Sequence, residues 1–180
     1  MTTDVLNEKE TNRFIMSKLA KSKSRIWICS PWITRKDIKK YLQKVKDVKI
    51  ILGFSNKRDF RISDLSFLEE INNQKNVQVR VNKRAHRKVY VFDSFALIGS
   101  SNLTYMGLGQ NERYNLETSV ISDDKKIVTG AIRHFKETWK DSIPFSDLDV
   151  EIKKKKPKIR GIKEILELFK PHNPLERILD

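Results

Sequence analysis

Apolar residues fall along this chain in two rhythms. Phe14, Ile15 and Leu19 recur at helical spacing, so Glu8 to Ala20 is predicted to be a helix with Asn7 or Thr11 as its cap. Arg25-Ile26-Trp27-Ile28-Cys29 is a short apolar run closed by Ser30-Pro31, which predicts a buried strand. A second helix is predicted from Arg35 to Lys46, and a strand from Val48 to Phe54. Ser63 to Asn72 reads as a helix capped by Ser63, with Leu65, Leu68 and Ile71 as its apolar stripe. Val77 to Val81 alternates and predicts a strand. Arg87 to Phe92 and Phe95 to Ile98 are two more strands, parted only by Asp93-Ser94, which predicts a tight hairpin. Leu116 to Ile121 closes the set of strands. Asp123 to Trp139 follows as a helix capped by Ser122 or Asp123, with Ile127, Ala131, Phe135 and Trp139 along one face.

Strands alternating with helices predict a layered α/β fold. The hairpin argues against a purely parallel sheet, so the expectation is a mixed β-sheet covered by helices. A chain of 180 residues is one domain by default. Composition changes after Pro144, which divides the chain into a folded domain over 1–145 and a basic extension over 146–180. The extension carries Lys153-Lys154-Lys155-Lys156-Pro157-Lys158, then a short amphipathic stretch from Ile162 to Phe169 ended by Pro171. It reads first as a solvated linker with a helix that packs on the body or on a partner, and second as a nucleic-acid contact.

Charge narrows the partners. With 37 Lys and Arg against 23 Asp and Glu, the formal net charge is +14, a field that attracts polyanions. Nucleic acid is the expected partner. The longest apolar runs, such as Val89-Tyr90-Val91-Phe92, fall far short of the roughly 18 residues of a membrane span. The first ten residues are polar, so they do not read as a secretory signal. Cys29 is the only cysteine; it excludes an internal disulfide and fits a cytoplasmic setting, buried as a small side chain. Three scattered histidines and one cysteine give no metal-ligand spacing, and no cofactor motif is present. Trp27 and Trp32 read as core residues rather than base-stacking platforms.

The chemistry concentrates between His86 and Asn102: His86-Arg87-Lys88, then Asp93, then Gly99-Ser100-Ser101-Asn102, with Asn115-x-Glu117 downstream. On a strand, residues i and i+2 share a face, so His86 and Lys88 point the same way. An imidazole can be the nucleophile toward phosphorus, and an ammonium beside it can hold the non-bridging oxygens as charge builds. Asn102 would add a neutral donor to those oxygens, and Ser100 a hydroxyl or backbone donor. Gly99 would let its turn approach the strand carrying His86. An imidazole nucleophile needs its far nitrogen held in one tautomer, and Glu117 is the candidate carboxylate. His134 also reads His-x-Lys, but it falls mid-helix without the accompanying turn and is taken as a surface residue.

This constellation resembles the H-x-K-x4-D…G-S-x-N signature of the phospholipase D superfamily. Five residues separate Asp93 from Gly99 where the usual pattern has six, which implies a shorter turn. The resemblance implies a phospholipase D-like, endonuclease-type fold and phosphodiester cleavage through a phosphohistidine on His86, without metal. It also implies that Glu117 hydrogen-bonds His86 and that Asp93 is structural. The family's reaction uses two histidines and the motif occurs once here. The resemblance therefore implies a homodimer that shares its active site, acting as a nuclease on DNA, with RNA as a second substrate. Two rival readings are a lipid phosphodiesterase, for which only Ile162 to Phe169 could meet a membrane surface, and a nucleic-acid-binding module without cleavage.

Overall fold

A computed structural model describes residues 2–54 and 65–147. In chain order the elements are β1 (Thr3–Asn7), α1 (Glu8–Lys21), β2 (Arg25–Cys29), a 3-10 turn (Lys36–Ile38) running into α2 (Lys39–Leu42), β3 (Asp47–Gly53) and α3 (Leu65–Asn72). After these come β4 (Val77–Asn82), β5 (Val89–Phe92), β6 (Phe95–Gly99), β7 (Thr118–Ser122), α4 (Lys125–Lys140) and β8 (Ile143–Pro144). Ser63 and the segment from residue 148 onward, including the basic run and the stretch from Ile162 to Phe169, lie outside the described residues.

Among the described residues the strands form one mixed sheet in the order β1-β7-β6-β5-β2-β3-β4-β8. The β2–β3 and β3–β4 pairs are parallel, and the other pairs antiparallel. Alternation sorts the side chains into two layers. Ile26, Ile28, Ile50, Tyr90 and Phe92 face α1 and α3, where they meet Ile15, Leu19, Leu68 and Ile71. Trp27, Cys29, Ile51, Val89 and Val91 face α4. There Trp27 stacks on Phe135 at 5.1 Å, and Phe135 on Trp139 at 5.8 Å. Burying two apolar faces of one sheet is what makes the central strands nearly continuous hydrophobic runs.

On the α4 face one file of cross-strand partners spans the sheet: Val5, Val120, Ile98, Val89, Cys29, Ile51, Arg80 and Pro144. The helix α4 crosses only part of this file, as its buried residues Val128, Ala131 and Phe135 pack with Val89, Cys29 and Ile51.

Local chemistry sets the boundaries. Asn7 caps α1 in a reciprocal box: its side chain accepts from the Glu10 N–H at 2.9 Å, and its own N–H donates to Glu10 Oε2 at 3.0 Å. Asp124, not Ser122 or Asp123, caps α4, accepting from the N–H groups of Lys126 and Ile127. The helix expected from Arg35 to Lys46 is far shorter. Three-residue hydrogen bonds from Lys44 N–H to Tyr41 and from Val45 N–H to Leu42 tighten its end, and Lys46 N–H already donates to Lys23 O. The edge strands β1 and β8 are absent from the sequence reading. The strand expected to start at Arg87 starts at Val89, so His86 and Lys88 lie on the approach to β5 rather than in its ladder. No helix among the described residues is long and apolar enough to cross a membrane.

Candidate active site

The approach to β5, the end of β6 and the start of β7 meet at one end of the sheet. Lys88 is buried and His86 is exposed. The Lys88 ammonium donates to the His86 carbonyl at 2.8 Å and lies 2.9 Å from His86 Nδ1. The pairing that strand alternation was expected to supply thus comes from a folded-back loop. Burial lowers the Lys88 pKa below its ordinary value of 10.5, and the nearby carboxylate of Glu117 opposes that shift. Trp32, expected in the core, is half-buried instead; it meets the His86 ring edge-on, with centroids 6.2 Å apart. Trp27 is in the core.

Gly99 continues the ladder by donating its N–H to the Lys88 carbonyl at 3.2 Å. The close approach that requires a glycine is to β7, not to the strand carrying His86. A Cβ on Gly99 would stand 2.5 Å from Ser119 Oγ and from the Thr118 carbonyl. Ser100 is committed to the same strand: its N–H donates to Thr118 O at 3.0 Å, and Thr118 N–H donates to Ser100 Oγ at 3.1 Å.

Asn102 is buried, and its Oδ1 is among the buried side-chain atoms without a hydrogen-bond partner in the described structure. A buried amide oxygen without a partner is costly, and it is a group that a ligand's donor would complete. Its surroundings are fixed from below. Tyr90 Oη donates to the Ser101 carbonyl at 2.8 Å, and Leu103 N–H donates to Ser30 Oγ at 3.0 Å. Burial pushes the Tyr90 phenol pKa up, so it stays a neutral donor.

Glu117 lies just before β7 rather than within a strand. Its carboxylate accepts from Asn115 Nδ2 at 3.2 Å, and its charge acts on Lys88; His86 Nδ1 is partnered by Lys88 instead. The Glu117 N–H donates to Glu8 Oε2 at 3.3 Å. Glu8 is a buried acid in the first turn of α1, where negative charge is favoured by the helix dipole.

Asp93 is at the far end of β5 from His86. It sits in the hairpin turn with φ 46°, and its carboxylate accepts from the N–H groups of Lys23, Ser24 and Arg25 at 3.1, 3.0 and 2.8 Å.

His134 is exposed, yet it shares a cleft of about 310 Å³ with His86, Lys88, Ile98, Gly99 and Ala131. Arg87 pins the two walls together, donating to the His134 carbonyl at 2.7 Å and to Thr138 Oγ1 at 3.0 Å. Cys29 is buried under α4 with its thiol pKa raised to about 12 by burial, which makes it a packing residue, not a nucleophile. No group of three or more His, Cys, Asp or Glu side chains among the described residues is arranged to hold a metal ion.

Residues 15–139 match the family model described as cardiolipin synthase, PLD-like domain. No curated protein matches the chain in sequence. Among solved structures, the fold is similar to Nuc from Salmonella typhimurium, a phospholipase D family member, with TM-score 0.67 and 22% identity over 80% of this chain and 97% of that one. NucT from Helicobacter pylori superposes with TM-score 0.66 and 15% identity over 80% and 99% of the two chains. TrmBL2, an archaeal chromatin protein, gives 0.60 and 17% over 79% and 54%. At these identities the likeness is one of fold.

Proposed function

The chain belongs to the phospholipase D-like domain family, and we propose that it is a nuclease that hydrolyses DNA, and RNA as a second substrate, through His86. The observation that carries this reading is the buried Lys88 ammonium 2.9 Å from the exposed His86 imidazole, at the sheet end where the Asn102 amide is buried with Oδ1 unpartnered. The net charge of +14 supports a polyanionic substrate.

A His86 ring nitrogen attacks phosphorus, a nitrogen–phosphorus bond forms, and the bond to the leaving oxygen breaks. Lys88 and Asn102 stabilise the charge that builds on the non-bridging oxygens, with Ser100 and the Gly99 turn holding Asn102 in place. Glu117 supports the Lys88 ammonium and orients the His86 side of the site. The leaving oxygen must take a proton from a second group on the opposite side of phosphorus. That group then deprotonates a water, which attacks phosphorus and frees His86. His86 cannot stand on both sides at once, so a second copy of the chain supplies the acid as a second His86. No metal or cofactor enters this sequence. The catalytic unit is 1–145, with 146–180 as a basic extension, and the single buried Cys29 suits a cytoplasmic enzyme.

Pure protein incubated in excess EDTA with plasmid, single-stranded DNA, RNA and bis-p-nitrophenyl phosphate tests the reading. Cleavage should persist in EDTA and vanish in His86→Ala, while His86→Ala still binds DNA with an affinity that falls steeply with salt. Activity that is lost on chelation and restored by magnesium, or that survives in His86→Ala, would overturn it.

A further inference from the structure

The segment after β2 and the segment after β6 are tied together at the end of the sheet that carries His86. Ile33 and Leu103 form an isolated parallel bridge, and the Thr34 N–H donates to the Leu103 carbonyl at 3.1 Å. Ser30 Oγ joins both segments: it accepts from the Leu103 N–H at 3.0 Å and donates to the Trp32 carbonyl at 2.9 Å. The Tyr105 N–H donates to Thr34 Oγ1 at 3.2 Å. Ile33 and Leu103 are fully buried, so alternation puts the residues before them, Trp32 and Asn102, together on the opposite side of this short ladder.

Two aromatic rings stand on these segments. Trp32 is half-buried and meets the His86 ring edge-on, with centroids 6.2 Å apart. Tyr105 is 39% exposed, and the Arg35 guanidinium lies over one face of its ring, 5.1 Å from the centroid. That guanidinium is buried and tied to Asp37 at 2.8 and 2.7 Å and to Asn12 Oδ1 at 2.6 Å. It is a fixed backing for the ring, not a ligand for phosphate, and it leaves the ring's opposite face for a partner. Rings held at the rim of a polar site, on backbone fixed by side-chain hydrogen bonds, are preorganised for a flat apolar partner.

We propose that Trp32 and Tyr105 form a nucleobase subsite, on which bases of an unpaired strand stack while a phosphate of that strand meets His86. The placement of the phosphate rests on the nuclease reading above. A duplex keeps the faces of its bases stacked on one another, and the two rings reach them only after unstacking. The subsite therefore favours a single strand. It does so without reading sequence, because every base has a π-face. Lys88 and Asn102 serve the phosphate, and the rings serve what flanks it.

Three ligands of equal length test this on the full-length chain: a mixed-sequence single strand of DNA, the same strand in a duplex, and an abasic phosphodiester chain. Dissociation constants are read by fluorescence anisotropy in the His86→Ala background, and cleavage is read with His86 in place. Tyr105→Ala removes the ring but keeps the N–H that meets Thr34. Tyr105→Ala and Trp32→Ala should each weaken single-strand binding about tenfold, the scale of one lost base stack. Neither should change binding of the abasic chain or the duplex, and Trp32→Phe and Tyr105→Phe should restore most of the loss. Trp32 variants are compared at an unchanged circular dichroism spectrum; if Trp32→Ala does not fold, the exposed Tyr105 ring decides. Equal losses on the single strand and the abasic chain would make the rings mere supports and overturn the proposal. Unchanged single-strand binding in the alanine variants would overturn it too. If the wild type cleaves none of the ligands while the ring-dependent difference holds, the subsite stands and the nuclease reading falls. If it cleaves the single strand and neither alanine variant raises KM, the nuclease reading stands and the subsite falls.

Discussion

Asp93 and Arg25 bind each other in both directions: the Asp93 N–H donates to the Arg25 carbonyl at 3.1 Å, and the Arg25 N–H donates to the Asp93 carboxylate at 2.8 Å. The same carboxylate takes the N–H groups of Lys23 and Ser24. The acid of the signature thus fastens the β5–β6 turn to the start of β2, at the end of the strand away from His86.

Asp93→Ala should therefore cost stability more than chemistry. It removes an ionised acceptor of three N–H groups and places alanine at a positive φ, so about 2–3 kcal/mol of unfolding free energy is expected to be lost. Asp93→Asn keeps an acceptor and tolerates the left-handed turn, and it should lose about half as much. Urea unfolding measures both. A loss of cleavage with unchanged stability in Asp93→Ala would contradict this assignment.

The pH profile should report Lys88. In the proposed mechanism its ammonium is the working form, and burial disfavours that form, so activity should fall on the alkaline side as pH rises through a value below 10.5. The Glu117 carboxylate raises the Lys88 pKa, so Glu117→Gln should move the alkaline limb to lower pH. Stability should run the other way in that window: the folded-state pKa lies below the unfolded one, and the cost of burying the charge is relieved as pH climbs between them. A limb that does not move in Glu117→Gln would break the link between the two residues.

Glu8 should behave as a positioning residue for Glu117. Glu8→Ala leaves the Glu117 N–H without its partner, and about one hydrogen bond's worth of alignment, roughly fivefold in kcat, is expected to go. Glu8→Gln retains a carbonyl acceptor and should restore most of the rate. Equal rates in the alanine and glutamine variants would reduce Glu8 to helix packing.

Where the chain is apolar at a regular period, its sequence reveals the fold. Ile26 to Cys29 is legible because burial on both faces leaves little polar signal to confuse it, Val77 to Val81 because buried valines alternate with exposed Gln78 and half-buried Arg80, and the hairpin because Asp93-Ser94 alone parts two apolar runs. Thr3 to Asn7 is not, because an edge strand of five residues whose two apolar side chains, Val5 and Leu6, stand side by side shows no period and looks like a tail. The end of α2 is invisible for another reason: Lys46 stops the helix by pairing with Lys23, a contact distant in sequence. The candidate site divides similarly. His86, Lys88 and Asn102 stand in one short stretch and announce themselves by type and spacing. Trp32 beside His86, Ser30 under Leu103, Glu8 under Glu117 and His134 across the cleft come from separate segments, and only the sheet order brings them to one end. The close approach at Gly99 is to β7 and not to the strand carrying His86, because the β6–β7 register decides it.

The order of strands also has a practical side. The strand nearest the N-terminus, β1, and the last described strand, β8, form opposite margins of the sheet, seven strand spacings or about 34 Å apart. A label or surface linkage at Thr2 would crowd Val5 and its neighbours. One attached through the β8 margin, at Ile143, would leave both the cleft and the apolar file open to solution, which makes that margin the place to immobilise the protein for single-molecule work.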